Sequence, residues 1–396
     1  MNPQKLSIIK LVLLLSPMVF GLPFAMDIYI PAVPRIATLF GVSAGEMQLT
    51  LTIFMLTAGF MQLIVGPLSD CYGRRLISFI MTLIFMLGSI LCSLSHHITE
   101  LILFRCVQAV GACGMLVVGF AIVRDVFSGR KSAQAYSYLN GMISFSPMFA
   151  PFIGSYLDVY YGWPSTFWAL WVIGLTALVV IIFCLPETLL THHRKIFRVS
   201  IIEKYKQIAK NRIFFFYNIA ASVGLSYLYL FCSISPYIII RLLHIPEIDY
   251  GFYFCYMGIS FFIGSFVSGY VVSKYGIYKT IIMGLIITLL GGIIMMTWYF
   301  MTGLMINNFI WPMLLIGIGG TFCMGAGNGG AMEPFSEDIG AAAALSGAIR
   351  FLFSGILGSI VISSNVHSTL PLAIPAIFFS IVGLIIFLSK KNQLEM

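Results

Sequence analysis

The stretch Gly66-Pro-Leu-Ser-Asp-Cys-Tyr-Gly-Arg-Arg75 is a short polar segment between two long apolar runs. Its glycines and proline permit a tight turn, and it concentrates one aspartate and two arginines within ten residues. An apolar chain interrupted by brief charged turns is typical of helices that cross a membrane one after another. This stretch therefore predicts the connection between two membrane-spanning helices.

The composition extends that prediction to the whole chain. Apolar residues make up 60% and charged residues 9%, whereas a soluble domain carries roughly a quarter charged residues. A spanning helix needs about 20 apolar residues, and the continuous runs lack the alternation of a membrane β-barrel. We expect an all-α integral membrane protein with twelve spans, at 11–32, 48–69, 76–95, 100–123, 133–157, 165–186, 213–240, 250–273, 279–301, 309–332, 341–363 and 370–389.

The first apolar run could be the core of a signal peptide after Lys5 and Lys10. We interpret it as the first span, because the apolar run resumes past Asp27. The eight cysteines form no CxxC pair, so we expect small buried side chains, with no disulfide and no metal site. No cofactor and no nucleic-acid partner is expected.

Positive charge predicts the orientation. Of the 22 Lys and Arg residues, eighteen fall in segments on the same side as the N-terminus. Only Arg35 and Arg241 fall in loops on the other side, and Arg105 and Arg350 fall within spans. Basic segments mark the cytoplasmic side. We therefore expect a multi-pass protein of the inner (cytoplasmic) membrane with both termini in the cytoplasm.

The longest polar segment divides the spans six and six. We expect an N-terminal bundle at 1–187, a basic cytoplasmic linker at 188–212 and a C-terminal bundle at 213–396. Ile201–Ile208 has the pattern of an amphipathic helix on the anionic inner leaflet. His192 and His193 lack a third ligand nearby, so a solvated linker is favoured over a metal site.

The two bundles resemble each other in sequence. Gly269-Tyr-Val-Val-Ser-Lys-Tyr-Gly-Ile-Tyr278 follows span eight as the opening stretch follows span two. Both contain a glycine, Tyr-Gly six residues later and then a basic residue. Such a parallel six-helix repeat surrounds a central cavity, which is opened to each side in turn by rocking of the two bundles.

The charges of the opening stretch can close the cytoplasmic side. Asp70 can face the positive end of a helix in the other bundle or an arginine, and Arg74 and Arg75 can pair with carboxylates across the gap. The alternative is that the two arginines only fix the orientation. The aspartate, the glycines and the repeat favour a gate.

These residues resemble the loop motif of the major facilitator superfamily, Gly-x-Leu-x-Asp-Arg-x-Gly-Arg-Arg. More narrowly, the chain resembles the Bcr/CflA branch of drug:proton antiporters. The resemblance also rests on stretches spread over both bundles: Ala25–Pro34, Leu101–Gly111, Ser146–Gly154, Leu185–Leu189, Glu333–Phe335 and Gly340–Gly347. It implies an inner-gate motif of Gly66, Asp70, Gly73, Arg74, Arg75 and Asp125, and an antiporter motif of Ser146, Pro147, Ala150, Pro151 and Gly154.

The chain departs from the family pattern at several positions. Cys71 replaces an arginine that would face Asp125, and the adjacent Arg124 is an alternative partner for Asp125. Pro164 follows Trp163 where the branch usually has arginine. Ser146, Ala150 and Ser155 replace glycines, although small residues still let helices approach closely.

A proton-coupled carrier needs an ionisable group within the membrane. Asp27 is the one carboxylate that falls clearly within a predicted span. Asp27 and Arg105 each lie about 6 Å below the same surface, and they could pair if spans one and four are neighbours facing the cavity, as the resemblance implies. Intramembrane charges are usually functional, which favours Asp27 as the proton carrier over a helix cap beside Pro31. Arg105 is equally well explained as a structural residue, and Glu333 is one guess for the partner of Arg350.

Other patterns limit the function. No Walker motif is present, and Gly325–Gly330 matches GxGxxG only within an apolar span, where tight packing is the better explanation. Candidate cavity residues for flat, lipophilic or cationic compounds are Met26, Tyr29, Gln108, Asn140 and Tyr227, although most membrane aromatics face lipid or other helices.

We expect a monomeric exporter, not an enzyme, that exchanges a small molecule for protons within the lipid bilayer. An exporter of a native metabolite such as a siderophore, or an importer or sensor on the same scaffold, remains the alternative.

Overall fold

A computed structural model of the chain describes residues 7–189, 200–335, 338–362 and 367–390. Over these ranges the regular structure is helical and contains no strand, so the all-α prediction is confirmed. The α-helices are α1 (Ile8–Asp27), α2 (Val33–Phe40), α3 (Ala44–Tyr72), α4 (Arg74–Ser93), α5 (Ile98–Val126), α6 (Gly129–Tyr161), α7 (Pro164–Phe183), α8 (Ser200–Lys210), α9 (Arg212–Pro236), α10 (Glu247–Tyr275), α11 (Ile277–Thr302), α12 (Ile306–Met332), α13 (Ile339–Ile362) and α14 (Leu370–Ser389).

Each of the twelve predicted spans corresponds to one long helix. Eleven of these helices, with their continuations, are long and apolar enough to cross a membrane. The twelfth is α6, which has 33 residues but a more polar sequence with Pro147 and Pro151 inside it. We call residues 7–189 the first half and residues 212–390 the second half.

The stretch expected to form a loop is mostly helical. Residues Gly66 to Tyr72 form the last two turns of α3, and Gly73 alone turns the chain into α4. Gly73 has φ 100° and ψ 152°, and its counterpart Gly276 between α10 and α11 has φ 85° and ψ 167°. Positive φ favours glycine, so the sequence repeat appears as the same one-residue turn in both halves.

Pro67, inside α3, leaves a backbone carbonyl without its helical partner. Proline has no N–H, so the carbonyl of Leu63, four residues earlier, cannot be satisfied by its own helix. The hydroxyl of Tyr205 on α8 donates to that oxygen at 3.1 Å. Burial, with the charge of Asp70 adding to it, raises the pKa of Tyr205 to about 12, so the hydroxyl keeps the proton it donates.

The helix expected at 201–208 is present as α8, whereas residues 190–199 of the expected linker lie outside the described ranges. Ile208 is 3% exposed and packs into the core of the second half. Lys204 pairs with Asp338 at 2.7 Å, just before α13. The helix α8 therefore contacts both halves.

The helix α3 and its polar end define one side of the membrane. We call the side that carries Arg74, Arg75 and α8 the basic side, and the other the opposite side. The first helix of each half is interrupted near the opposite side, where Pro31 follows α1 and Pro236 ends α9. A 3₁₀ turn at Ile30–Ala32 leads into α2, and a π-helical turn at Tyr237–Leu242 follows α9.

The two halves contact each other along two helix pairs, α3 with α13 and α6 with α10. Glycines allow the close approach: a Cβ on Gly59 would lie 3.1 Å from the carbonyl oxygen of Ala348, and one on Gly258 would lie 2.7 Å from the backbone of Met148. Small residues at helix crossings strengthen packing where lipid supplies no hydrophobic drive.

Candidate functional site

Asp27 is the last residue of α1, and its side chain points into the protein. It is 3% exposed, and the hydroxyl of Ser146 on α6 donates to its Oδ2 at 2.8 Å. No backbone N–H in the described ranges bonds this carboxylate, so the alternative role as a helix cap is not observed. The carboxylate is thus held between α1 and α6, away from lipid.

The antiporter motif forms the surface of α6 that packs on α1. Ser146, Ala150 and Gly154 are spaced four residues apart and share one helix face, and Ala150 is fully buried. A Cβ placed on Gly154 would overlap the carbonyl oxygen of Ile28. The motif therefore fixes the distance between α6 and the break that follows Asp27.

Arg105 does not pair with Asp27, which corrects the expectation from their matching depth. Its Nη1 donates to the carbonyl of Ala25 at 2.9 Å and to Oε1 of Gln108 at 2.6 Å. Gln108 in turn donates to Ser89 at 2.9 Å. The helices α1 and α5 do pack together, as the resemblance implied, but the guanidinium binds the α1 backbone instead of the carboxylate.

Two aromatic rings enclose the same guanidinium. The Cζ of Arg105 lies 4.5 Å from the ring centre of Tyr29 and 4.1 Å from that of Phe54. Its Nε and Nη2 are buried and make no hydrogen bond in the described structure. Tyr29 is itself fixed, since its hydroxyl lies 2.7 Å from that of Thr50. Cation–π attraction is strongest where the cation is desolvated, as here.

The five candidate cavity residues do not gather around one space. Met26, Tyr29 and Gln108 are buried, and Tyr29 and Gln108 contact Arg105. Tyr227 is buried within the second half, where its ring faces Gly320. Asn140 is exposed on α6. Tyr29 and Gln108 thus share Arg105 as a neighbour, and the assignment of any of the five to substrate stays a prediction.

The structure adds a buried carboxylate that the span prediction missed. Asp158 on α6 is fully buried and pairs with Arg35 of α2 at 3.0 Å. The predicted span ended one residue earlier, so Asp158 was not counted as intramembrane. Its position four residues after Gly154 is the signal that places it on the α6 face toward the first helix.

Side-chain bonds between the halves lie near the opposite side. Gln48 donates to Tyr229 at 3.1 Å and to Ser233 at 2.7 Å, and the hydroxyls of Thr52 and Ser359 lie 2.7 Å apart. Further out, Arg241 donates to the Pro34 carbonyl at 2.9 Å and to Thr38. These bonds join α3 and α2 of the first half to α9, α13 and the π-helical turn of the second.

The arginine pair of the inner-gate motif bonds within the first half, which corrects the expected pairing across the gap. Arg74 is 2% exposed; it binds Asp125 at 2.8 Å, Asp70 at 2.5 Å and Ser69 at 2.5 Å. Asp125 is therefore satisfied by Arg74 and not by Arg124. Arg75 donates to the carbonyls of Ile181 and Ile182 at the end of α7.

Glu187 is a further residue of this cluster to which the sequence assigned no role. Its carboxylate accepts from the backbone N–H groups of Arg74 at 2.9 Å and Arg75 at 3.2 Å. Those groups begin α4, and a negative charge there satisfies unpaired donors and the helix dipole. The neighbouring Thr188 donates to Asp125 at 3.3 Å. In the sequence, Glu187 lies in the Leu185–Leu189 stretch, which carried the family resemblance but predicted no bonding partner for this carboxylate.

We expect Arg74→Gln to destabilise the protein far more than Arg75→Gln. The first change leaves Asp70 and Asp125 facing each other without a cation, and breaking a buried ion pair costs about 3 kcal/mol or more. The side chain of Arg75 is exposed and donates only to the carbonyls of Ile181 and Ile182. Thermal unfolding in detergent measures the difference. Equal melting temperatures for the two variants would contradict this arrangement, and adding Asp125→Asn to Arg74→Gln should restore part of the loss.

The Gly325–Gly330 match to a dinucleotide motif lies inside α12, as expected for packing. A Cβ on Gly327 would lie 2.6 Å from the carbonyl oxygen of Tyr217 on α9. Glu333, one suggested partner of Arg350, forms no ion pair with it in the described ranges. The guess about Glu333 is therefore wrong.

The long apolar helices, the repeated turn and the enclosed intramembrane charges define a multi-pass membrane protein with the architecture of a carrier. The family model described as the Major Facilitator Superfamily matches residues 15–360. The chain belongs to this superfamily, and the resemblance stated from its motifs is confirmed.

Three relatives of known name match most of the chain. A bicyclomycin resistance protein homolog of Haemophilus influenzae is 28% identical over 380 residues, covering 94% of this chain and 93% of that protein. A chloramphenicol resistance protein of Pseudomonas aeruginosa is 28% identical over 360 residues, covering 90% and 84%. A multidrug resistance protein MdtL of Vibrio parahaemolyticus is 26% identical over 346 residues, covering 85% and 86%.

Proposed function

We propose that the protein is a secondary transporter that exports lipophilic small molecules in exchange for protons. The observation that carries this proposal is the buried carboxylate of Asp27, held by Ser146 where α1 is interrupted. Charges within the membrane are expensive and usually functional. The relatives named for resistance to bicyclomycin, chloramphenicol and several drugs support export over import.

In this scheme proton and cargo exclude one another at Asp27. A proton that arrives from outside releases the molecule held there, and loss of that proton to the cytoplasm reloads the site. Arg105 stays in place because it is bonded to the α1 backbone. The membrane potential supplies about 2.3 kcal/mol per charge per 100 mV.

The observed bonds fit a conformation open toward the basic side. Every described side-chain hydrogen bond that joins the first half directly to the second lies on the opposite side, around Gln48 and Arg241. We assign the basic side to the cytoplasm, because basic segments stay there, with both termini on it and the protein in the inner membrane. On that assignment, the position of these bonds supports an inward-facing conformation.

The halves move as two bundles, residues 1–187 and 213–396, in a monomer surrounded by lipid. In the inward-facing state the gate motif is held within the first bundle by Arg74, Asp125 and Glu187. Closure of the cytoplasmic side brings this cluster against the second bundle. Met26, Tyr29 and Gln108 contribute to the substrate site, with Tyr227 and Asn140 further along the pathway.

Inverted membrane vesicles test the direction and the coupling together. A proton gradient, acid inside, is formed and followed by quenching of an acridine dye. Addition of chloramphenicol is expected to restore fluorescence in vesicles that contain the protein, because export carries the drug inward in exchange for protons. Vesicles from cells without the protein are the control. No recovery of fluorescence with chloramphenicol or ethidium would overturn proton-coupled export.

A further inference from the structure

We infer that Arg350, together with Asn218 and Asn328, forms a second polar subsite that binds a planar hydrogen-bond-accepting group of the transported molecule, a carboxylate or nitro group. The inference rests on the proposed transport function and adds a substrate class to it. The subsite lies in the second half, whereas Asp27 and Arg105 lie in the first.

Arg350 lies near the middle of the membrane. It follows the start of α13 at Ile339 by eleven residues and precedes its end at Ile362 by twelve. At 1.5 Å per residue it is about 16–18 Å from either end. A guanidinium at this depth is far from both aqueous surfaces, so its side chain cannot reach bulk water by extending along the helix.

The face of α13 that carries Arg350 lies between two packed surfaces. Gly347 and Phe351 lie against α3, where Gln62 and Gly59 approach them. On the other side, the hydroxyl of Ser354 lies 3.0 Å from that of Ser226 on α9. Since both flanks are covered by protein, Arg350 points between α3 and α9, toward the centre of the molecule and not toward lipid.

The same face of α13 has an exposed residue nearer the basic side. Ala343 precedes Arg350 by seven residues, or two helical turns, and so shares its face. Ala343 is exposed and Arg350 is partly exposed, although Nε of Arg350 is buried. Exposed surface on this face of α13 therefore extends from Ala343 toward the guanidinium.

Polar side chains from three helices surround this region. The hydroxyl of Ser346, one turn before Arg350, donates to Oδ1 of Asn218 on α9 at 2.6 Å and approaches Oδ1 of Asn328 on α12 at 3.4 Å. Both amide oxygens thus face the serine. The amide nitrogens, which are donors, are left for another acceptor.

In the part of the chain that the structure describes, no side chain pairs with Arg350. Within the described ranges it forms no ion pair and no hydrogen bond, and its Nε is a buried donor without an acceptor. A cation held within the membrane and a buried donor without an acceptor are both costly. A guanidinium presents its donors in a planar fork that matches a carboxylate in two parallel bonds. A nitro group has the same planar pair of oxygens, so either group completes the subsite.

The two halves present groups of opposite charge to the transported molecule. Asp27 in the first half and Arg350 in the second are opposite in sign. A molecule with an acceptor at one end reaches the second half, and its binding there links the two halves. A cationic compound without an acceptor group cannot accept hydrogen bonds from Arg350, so its binding depends on the first half alone.

Binding to the purified protein tests the subsite by titration calorimetry without a proton gradient. The probes are chloramphenicol, which carries a nitro group, its succinate ester, which adds a carboxylate, and ethidium, which is a cation. Arg350→Gln is expected to weaken binding of chloramphenicol and its succinate about tenfold, the loss of one charged hydrogen-bonding partner. Ethidium binding should stay within about twofold, the size of an effect below 0.5 kcal/mol. Arg350→Lys, which keeps the charge without the fork, should retain part of the succinate binding.

Lys274→Gln removes the same charge from an exposed position of the second half and is the matched control. The inference is overturned if Arg350→Gln weakens all three probes equally, if it weakens none, or if the unsubstituted protein binds neither acceptor-bearing probe. Because calorimetry requires no transport, a protein that binds as expected yet moves no protons in vesicles would refute the proposed function and leave the subsite standing.

Discussion

Asp27→Asn is expected to abolish proton-coupled export while the protein stays folded and inserted. Asparagine is nearly isosteric and can still accept from Ser146, whose hydroxyl lies 2.8 Å from the carboxylate. It cannot exchange a proton, so the antiport cycle has no carrier. We expect dye recovery in inverted vesicles to fall to the level of vesicles without the protein, with unchanged protein content and melting temperature.

Two further variants separate titration from packing at this position. Asp27→Glu keeps the acid but moves it by one methylene, so part of the exchange should remain. Ser146→Ala removes the hydrogen bond and keeps the acid, so exchange should continue at a reduced rate. If the Asp27→Asn protein still exchanges substrate for protons, the carrier is another group and the scheme is wrong.

Gly154→Ala is expected to lower stability by about 3 kcal/mol, the upper range for overpacking a well-packed site. The added methyl would overlap the Ile28 carbonyl oxygen, a backbone atom that cannot rotate away. The helices α6 and α1 would have to separate where Asp27 and Ser146 meet. Transport should therefore fall together with the melting temperature.

Gly141→Ala on the same helix is the matched control. A Cβ on Gly141 meets nothing within 4 Å, and alanine is favoured over glycine in a helix by about 1 kcal/mol. This variant should be as stable as the unsubstituted protein or slightly more stable. Thermal unfolding and protein content in membranes measure both variants. Equal behaviour of Gly141→Ala and Gly154→Ala would show that the close contact at Ile28 is not required.

The fold was predictable because hydropathy alone separates spans from loops in a chain with 9% charge. The predicted helix bounds are wrong where polar residues belong to a helix. Asp70 to Tyr72 were expected to lie in the connection after the span at 48–69, but these residues extend α3 beyond the apolar region. Likewise α6 extends from Gly129 to Tyr161, well past both ends of its predicted span.

Two features of the sequence predicted part of the site: the rarity of charged residues within spans, and the depth of each residue along its helix. Asp27 was identified because carboxylates within spans are rare. Its partner was not, because depth along a helix gives no direction for a side chain: Arg105 reached Ala25, and Ser146 reached the acid. The gate arginines were expected to join the halves, yet a sequence cannot state which conformation is observed. In the observed conformation, whose halves are joined near Gln48, Arg74 and Arg75 bond to residues of the first half.

Pro67 in α3 affects how α3 and α8 can move against each other on the basic side. Since Pro67 removes the only internal donor for the Leu63 carbonyl, that oxygen needs either Tyr205 or a water molecule. Exchanging one for the other costs little net free energy. The hydrogen bond between Tyr205 and Leu63 can therefore break and re-form as α3 slides past α8, and neither helix has to unwind.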